Sequence, residues 1–360
     1  MAGQAEHLSM SDEPLLGRLE SGRVHLGKDA VRALYEQGYF GRPLEDGLEL
    51  TLVEAAYLLD RSRLRIESDG HLLSFRSFFE LASTFEKGFE FRYVVYKDLR
   101  ERGYYVQPGI PDFRVYPRGG HPGKTPAEFY VLVVSERTPL PLERIVGPLR
   151  LSSQMRRRLM LAVVDEESDI TYYEVRESNP SGRTEAAEPG GQATLLDDRV
   201  VLWDPAASER LHRHGFYGKM IGERLQLSLV ETAYLLERGM IQLVDRSGAT
   251  VPLEELMKRA SEIEDEFDMK YRVYRDLRDR RLVVKTGFKF GTHFRVYKSV
   301  DAEKRGTHSE YLVHTVRGDH VFHLPVLSRA VRLAHSVRKT MVFAYSDDGV
   351  EYVEVRRLKP

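Results

Sequence analysis

Residues 38–64 read GYFGRPLEDGLELTLVEAAYLLDRSRL, and residues 215–241 read GFYGKMIGERLQLSLVETAYLLERGMI. Glu54 aligns with Glu231 and Tyr57 with Tyr234, an offset of 177 (231 − 54). FRYVVYKDLRERGYYV at 91–106 is echoed by KYRVYRDLRDRRLVV at 270–284, with Asp98 on Asp276 at an offset of 178 (276 − 98). FRVY then occurs twice, with Tyr116 on Tyr297 at an offset of 181 (297 − 116). Matches this long in one chain mark an internal duplication. The slow drift of the offset is what insertions in loops produce.

Between the copies, ESNPSGRTEAAEPGGQATLLDD (177–198) is rich in Gly, Pro, Ser, Glu and Thr and has the composition of a linker. The expected organisation is a first repeat unit at 1–178, a linker at 179–197 and a second unit at 198–360. In each unit the apolar spacing of LTLVEAAYLL or LSLVETAYLL, and of the stretch around FELASTFEKGFEFRYVVYKDLRERG or its counterpart, predicts helices. Shorter runs rich in Val, Tyr and Phe follow and predict strands: DFRVY, EFYVLVV, LMLAVV and ITYYEV in the first unit, and HFRVY, EYLVHTV, TMVFAY and EYVEV in the second. The fold class is therefore α+β, a tandem duplication. Each unit has a helical N-terminal subdomain (about 1–103 and 198–281) and a mixed-sheet C-terminal subdomain (104–178 and 282–360).

Composition narrows the function classes. The chain has 360 residues, 42% apolar, a net charge of −1 and no cysteine. Disulfides and thiolate metal sites are excluded, and a reducing cytoplasmic setting is expected. MAGQAEHLSMSDEP has no cationic segment leading into an apolar one, so no signal peptide is expected. No apolar run reaches the ~18–20 residues that span a bilayer. Any case for a polyanionic partner has to rest on local cationic patches, not on net charge.

The two copies share a frame, so their differences are informative. The predicted helix LPVLSRAVRLAHSVRK (324–339) places Val326, Ala330, Leu333 and Val337 on one face, expected to be buried. Arg329, Arg332 and Lys339 fall within about an 80° arc elsewhere on it, a cationic stripe. The first copy has Gly147, Arg150 and Arg157 in those places, and Pro148 where the second has Ala330, so its helix is expected to start later or kink. Pro126 falls opposite His308. The first copy thus lacks the histidine and the lysine and keeps the tyrosine. Tyr297, His308 and Lys339 form a candidate set confined to the second copy.

These groups suit metal-free cleavage of an RNA phosphodiester, in which the substrate brings its own 2′-hydroxyl nucleophile. One group takes the proton of that hydroxyl, one protonates the leaving 5′-oxygen, and one neutralises the charge building on the phosphoryl oxygens. A free tyrosine titrates near 10, so a basic tyrosine calls for cationic neighbours, which the stripe is expected to supply.

VKTGFKFGTHFRVY (284–297), HSEYLV (308–313) and VRLAHSVRK (331–339), in this order and spacing, resemble the archaeal tRNA-splicing endonucleases. The resemblance covers nearly the whole chain and is to the two-unit, homodimeric type. It implies that Tyr297 is the general base, His308 the general acid and Lys339 the stabiliser of the transition state. It implies 2′,3′-cyclic phosphate and 5′-hydroxyl ends, no metal and no cofactor, and a precursor tRNA folded as a bulge–helix–bulge as substrate. Arg332 resembles the family arginine that stacks on a bulged base. Arg357 matches the second such arginine, with Arg356 as its rival, and Arg329 lies on the helix of Arg332. The loop VVDEESDITYYEV (163–175), with Asp165, Glu166, Glu167 and Asp169, resembles the acidic loop that docks on the partner chain. The C-terminal subdomain would be restriction-endonuclease-like.

Each residue alone also has a plainer reading: a packing tyrosine, a surface histidine, a solvated lysine at a helix end, a plain acidic turn. The loss of two members together in the first copy outweighs these. HVFH (His320, His323), with His314, has a spacing suited to a metal, as has HRH (His212, His214), but no carboxylate cluster accompanies either. Pro111-Asp112 begins a PD…(D/E)xK arrangement that no suitable (D/E)xK completes, so a metal-dependent nuclease of that type is rejected. The alternative function is a non-catalytic RNA-binding or assembly subunit.

Overall fold

Each copy of the duplicated stretch opens its helix with the same device. Thr51 caps the helix Leu52–Asp60 and Ser228 caps the helix Leu229–Glu237. In both, a glutamate three residues on accepts the cap's own backbone N–H at 3.0 Å. This is a capping box. The glutamates also reach outward, Glu54 to the Gly41 N–H at 2.7 Å and Glu231 to the Gly218 N–H at 2.9 Å. Both are buried, so each carboxylate ties a loop to a helix from within the core. Burial raises the Glu54 carboxyl, against the hydrogen bonds from Gly41 and Thr51. Burial pushes Glu231 the same way. There, however, Lys285 at 3.4 Å and the N–H groups of Ser228 and Gly218 prevail and hold it below its ordinary value.

The structure is a computed structural model describing residues 13–184, 187–299, 309–346 and 349–360. It divides into two units, one taking most of the first 174 residues and the other most of the rest. In the first unit a six-stranded sheet runs in the order Arg42–Pro43, Gly47–Leu50, Arg23–Gly27, Leu15–Glu20, Leu64–Ser68, His71–Leu73. It accompanies helices Leu52–Asp60, Phe75–Phe85 and Phe89–Glu101. A second sheet follows in the order Val106–Pro108, Phe113–Val115, Phe129–Ser135, Arg158–Val164, Ile170–Ser178. The pair Phe129–Ser135 and Arg158–Val164 is parallel, and helix Glu143–Gln154 links it.

The second unit repeats the plan. A five-stranded sheet in the order Lys219–Ile221, Arg224–Leu227, Val200–Leu202, Gln192–Leu195, Gln242–Val244 accompanies helices Pro205–Gly215, Leu229–Glu237, Leu253–Ile263 and Phe267–Asp279. Then come Val283–Thr286, Phe294–Tyr297, Tyr311–Thr315, Thr340–Ser346 and Val350–Leu358, neighbours in that order. Tyr311–Thr315 and Thr340–Ser346 are parallel, linked by helix Leu324–Ser336. One sheet face packs on helix Phe267–Asp279 through Phe294, Val296, Val313, Val342, Ala344 and Tyr352. Among the described residues no helix is long and apolar enough to cross a membrane.

The α+β duplication is as expected, and each N-terminal subdomain carries a sheet beside its helices. Its strands are short, which is why helical spacing dominated the reading. The stretch 179–197 is not irregular throughout: Gln192–Leu195 pairs with Val200–Leu202 and Gln242–Val244, burying Ala193 and Leu195. The helical stretch before residue 103 is two helices, divided at Gly88 with φ 74°. Glu266 takes the same left-handed conformation at the corresponding break, φ 58°.

The helix after residue 323 corrects a second expectation. Leu324, Leu327, Val331 and Ala334 are its buried residues, while Val326 is 55% and Leu333 40% exposed. Two apolar rows of helical period lie on this helix, and the row that meets the sheet is the first. The helix also ends at Ser336, so Lys339 lies beyond it and belongs to no helical stripe. In the first copy the helix begins at Glu143, one residue after the position that matches Leu324, and runs on through Pro148.

Glu231→Ala strands the Lys285 ammonium and two backbone donors in the core. We expect it to lower the unfolding free energy by about 3–5 kcal/mol. Glu54→Ala strands no lysine and is expected to cost about 1–3 kcal/mol. Urea denaturation of the two variants checks the order.

Candidate active site

The backbone around Lys339 is built twice. In the second copy the Lys339 N–H donates to the Ala334 carbonyl at 2.8 Å, Thr340 N–H to Glu310 at 2.9 Å, and Glu310 N–H to Val296 at 3.0 Å. In the first, Arg157 N–H donates to Ser152 at 2.7 Å, Arg158 N–H to Glu128 at 3.1 Å, and Glu128 N–H to Val115 at 2.8 Å. Arg338 and Arg156 precede these positions with φ of 56° and 55°. Side chains on this common frame can therefore be compared directly.

Strand parity places the second-copy side chains. Phe294 and Val296 face helix Phe267–Asp279, so Arg295 and Tyr297 face the other way. Val342 and Ala344 likewise face the helix, so Met341 is on the Arg295–Tyr297 side, and Lys339 precedes Met341 by two residues. Val355 pairs with Met341, and Arg357 follows it by two. Tyr297, Lys339 and Arg357 thus share one face. Arg356 lies on the opposite face, its Nε 2.5 Å from the buried Glu354. Arg329 and Arg332 are exposed on the helix, with Arg332 donating to Ser328 at 3.3 Å.

The Lys339 ammonium donates to the Ser309 carbonyl at 3.0 Å and lies 5.8 Å from the centre of the Phe290 ring. His308 lies outside the described residues, and Ser309 is its chain neighbour. Burial lowers the proton affinity of Lys339, and the charges of Lys289 and Arg295 lower it further, against Glu310. The cation beside Tyr297 is Arg295, its guanidinium 6.0 Å from the ring centre. Arg295 Nε is buried and has no hydrogen-bond partner among the described residues. Within FRVY, this arginine is not among the candidate residues the repeat comparison singles out. Its i, i+2 spacing from the tyrosine in a strand was the available signal.

The first copy closes the same places. The Tyr116 hydroxyl donates to Gln107 at 2.7 Å, and burial raises the phenol above its ordinary value. Arg114 lies over Tyr130 at 5.8 Å; Arg157, in the place of Lys339, donates to the Arg156 carbonyl at 3.1 Å; and Arg158, in the place of Thr340, bonds Glu174 at 2.6 Å and Glu128 at 2.8 Å. Gln107 corresponds to Lys285, which instead donates to the Gly218 carbonyl at 2.7 Å. The Tyr297 hydroxyl makes no hydrogen bond to another described residue.

In the acidic loop, Asp165 is engaged locally, its carboxylate accepting the N–H groups of Glu167 at 3.0 Å and Asp169 at 2.9 Å. Glu166 pairs with Arg137, and Glu167 and Asp169 are exposed. Among the described residues no three His, Asp or Glu side chains converge as a metal site. His314 instead stacks on His293, ring centres 4.3 Å apart, and His320 packs on Phe322.

The comparisons with known proteins follow the same duplication. The family described as tRNA intron endonuclease, N-terminal domain, matches at residues 15–79 and 191–257. The catalytic C-terminal domain of the same family matches at 89–172 and 267–353. The chain belongs to the tRNA intron endonuclease family. It is 53% identical over 346 residues to the tRNA-splicing endonuclease of Methanosarcina mazei, covering 95% of this chain and 98% of that one. It is 51% identical over 344 residues to that of Methanococcoides burtonii (94% and 97%). To that of Halobacterium salinarum it is 42% identical over 364 residues (96% and 99%).

The histidine stack carries a stability prediction. Burial, with His314 and Lys270 nearby, lowers His293 to about 3, and His293 Nδ1 accepts the Thr315 N–H at 2.9 Å. The folded state keeps His293 neutral where the unfolded chain protonates near 6.5. Its contribution is therefore complete above about pH 6.5 and is lost progressively as pH falls toward 3. Thermal unfolding between pH 7 and pH 4 should show this loss, and His293→Asn should make it smaller.

Proposed function

We propose that the protein excises introns from precursor tRNA, cutting at bulge–helix–bulge motifs without a metal and leaving 2′,3′-cyclic phosphate and 5′-hydroxyl ends. Tyr297 takes the proton of the ribose 2′-hydroxyl, whose oxygen attacks the adjacent phosphorus. His308 protonates the departing 5′-oxygen, and Lys339 holds the charge that accumulates on the phosphoryl oxygens. The proton taken and the proton given balance, and no water is consumed in the step. The observation carrying this reading is the shared frame. On it the second unit presents Lys339 and a Tyr297 hydroxyl that bonds no other described residue, where the first presents a Tyr116 hydroxyl bonded to Gln107 and an arginine. The names of the relatives supply the substrate class.

Arg332, Arg329 and Arg357 would contact the RNA. Arg357 is preferred to Arg356 because it shares the face of Tyr297 and Lys339, whereas Arg356 is paired with Glu354. Two chains would assemble through the 163–175 loop. Glu167 and Asp169 are its groups best placed to meet a partner's cations, since Asp165 and Glu166 are engaged within the unit.

Cleavage of a labelled bulge–helix–bulge RNA in excess EDTA is expected from the wild type, with cyclic-phosphate ends. His308→Ala should lower the rate by about 10²–10⁴-fold. Lys339→Ala should lower it by about 10²–10³-fold. Activity that vanishes in EDTA and returns with Mg²⁺ would overturn the mechanism, and RNA binding without cleavage under both conditions would favour the non-catalytic subunit. Light scattering tests the assembly: the wild type is expected as a dimer, and Glu167→Lys with Asp169→Lys as a monomer.

A further inference from the structure

The drift of the repeat offset from 178 to 181 has a structural location. Gly109 and Phe113 of the first copy are separated by three residues, and Gly287 and Phe294 of the second by six. The longer loop forms the 3-10 turn Phe288–Phe290. The shorter one, Ile110-Pro111-Asp112, carries neither an aromatic residue nor a lysine. The extra turn thus occurs in the unit that holds Lys339.

This turn is built with care. Gly287 N–H donates to His293 at 2.9 Å, Phe290 N–H to Gly287 at 2.7 Å and Gly291 N–H to Phe288 at 3.0 Å. Gly291 takes φ 64°, and a Cβ on Gly287 would stand 2.4 Å from Thr292 Oγ1 and 2.8 Å from the Thr292 carbonyl. Yet the turn buries little. Phe290 is half-buried with the ammoniums of Lys289 at 5.0 Å and Lys339 at 5.8 Å from its ring centre. Phe288 is 88% exposed, the highest value among the exposed large apolar side chains described. An ordered turn that holds a bare aromatic ring in solvent, beside two lysines, does not serve the core. Aromatic rings next to cations are how proteins hold unpaired bases, with the ring on the base and the cation on the backbone phosphate.

We infer that Phe288 is a base-stacking residue of the RNA site, receiving an unpaired nucleobase next to the scissile phosphodiester, with Lys289 on the flanking phosphate. The inference rests on the proposed RNA cleavage and adds a contact apart from Tyr297, His308, Lys339 and the arginines. RNA is favoured over a protein partner because the same turn carries Phe290 with the ammoniums of Lys289 and Lys339 beside its ring, cations that a polyanion would neutralise.

The test uses the full chain and precursor tRNA with 2-aminopurine at the unpaired positions flanking the cleavage sites. Phe288→Ala is expected to lower kcat/KM about tenfold, mainly through KM, and to abolish the fluorescence quench seen on binding. Phe288→Trp should restore both. Lys339→Ala, inactive but still binding, should keep the quench. If the wild type cleaves and Phe288→Ala matches it in kcat/KM and quench, the inference falls while the function stands. If Phe288→Ala loses activity together with a change of oligomeric state in light scattering, the ring belongs to a protein interface and the inference again falls. A wild type that neither binds nor cleaves the RNA overturns both.

Discussion

A single left-handed residue governs the second unit's site. Arg338, at φ 56°, ends the helix Leu324–Ser336 and turns the chain so that Lys339 N–H returns to Ala334 and Thr340 N–H joins the Glu310 strand. A residue without this conformation would continue the helix and carry the lysine away from Ser309. For an arginine the conformation costs energy that glycine would not incur. The cost is tolerated twice, since Arg156 repeats it. The parallel strand pair on each side of the helix fixes the turn, because both of its ends are hydrogen-bonded into the sheet.

On this shared frame the two units differ in which side chains have hydrogen-bond partners among the described residues. Gln107 accepts the Tyr116 hydroxyl, and its counterpart Lys285 cannot accept anything, since an ammonium only donates. Lys285 turns instead to Gly218 and Glu231. One exchange therefore acts in two places. It lets go of the strand tyrosine, and it gives the buried capping glutamate a counter-charge, so that Glu231 is held ionised where burial raises Glu54. The folding device and the site are linked through one residue.

The duplication was legible because it rests on long helical blocks whose caps and apolar rows recur together. The C-terminal strands were legible from their Val, Tyr and Phe runs. Other features depended on tertiary context. The helix 324–336 has two apolar rows, and only packing against the sheet selects Leu324, Leu327, Val331 and Ala334. Gln192–Leu195 lies in a Gly-, Pro- and Ser-rich stretch and becomes a strand because Ala193 and Leu195 find a core. The position of Lys339 past the helix end turns on a left-handed arginine, which composition does not signal. Arg295 is within reach of strand parity, two residues before the tyrosine on the same face.

The cations around Lys339 give the last step. Lys289 and Arg295 each make it harder for Lys339 to hold its proton, and Glu310 acts the other way. Arg295 Nε is buried without a hydrogen-bond partner among the described residues. Gathering like charges and leaving a donor unpaired destabilises the free protein. The net charge of −1 gives no general attraction for a polyanion, so cations count here only where they are gathered locally. In the first unit the place of Lys339 is held by Arg157, which donates to the Arg156 carbonyl at 3.1 Å, while its neighbour Arg158 pairs with Glu128 and Glu174. The same strands thus carry a tyrosine bonded to Gln107 in one unit and a lysine crowded by Lys289 and Arg295 in the other, and the difference lies in the side chains set on a common backbone frame.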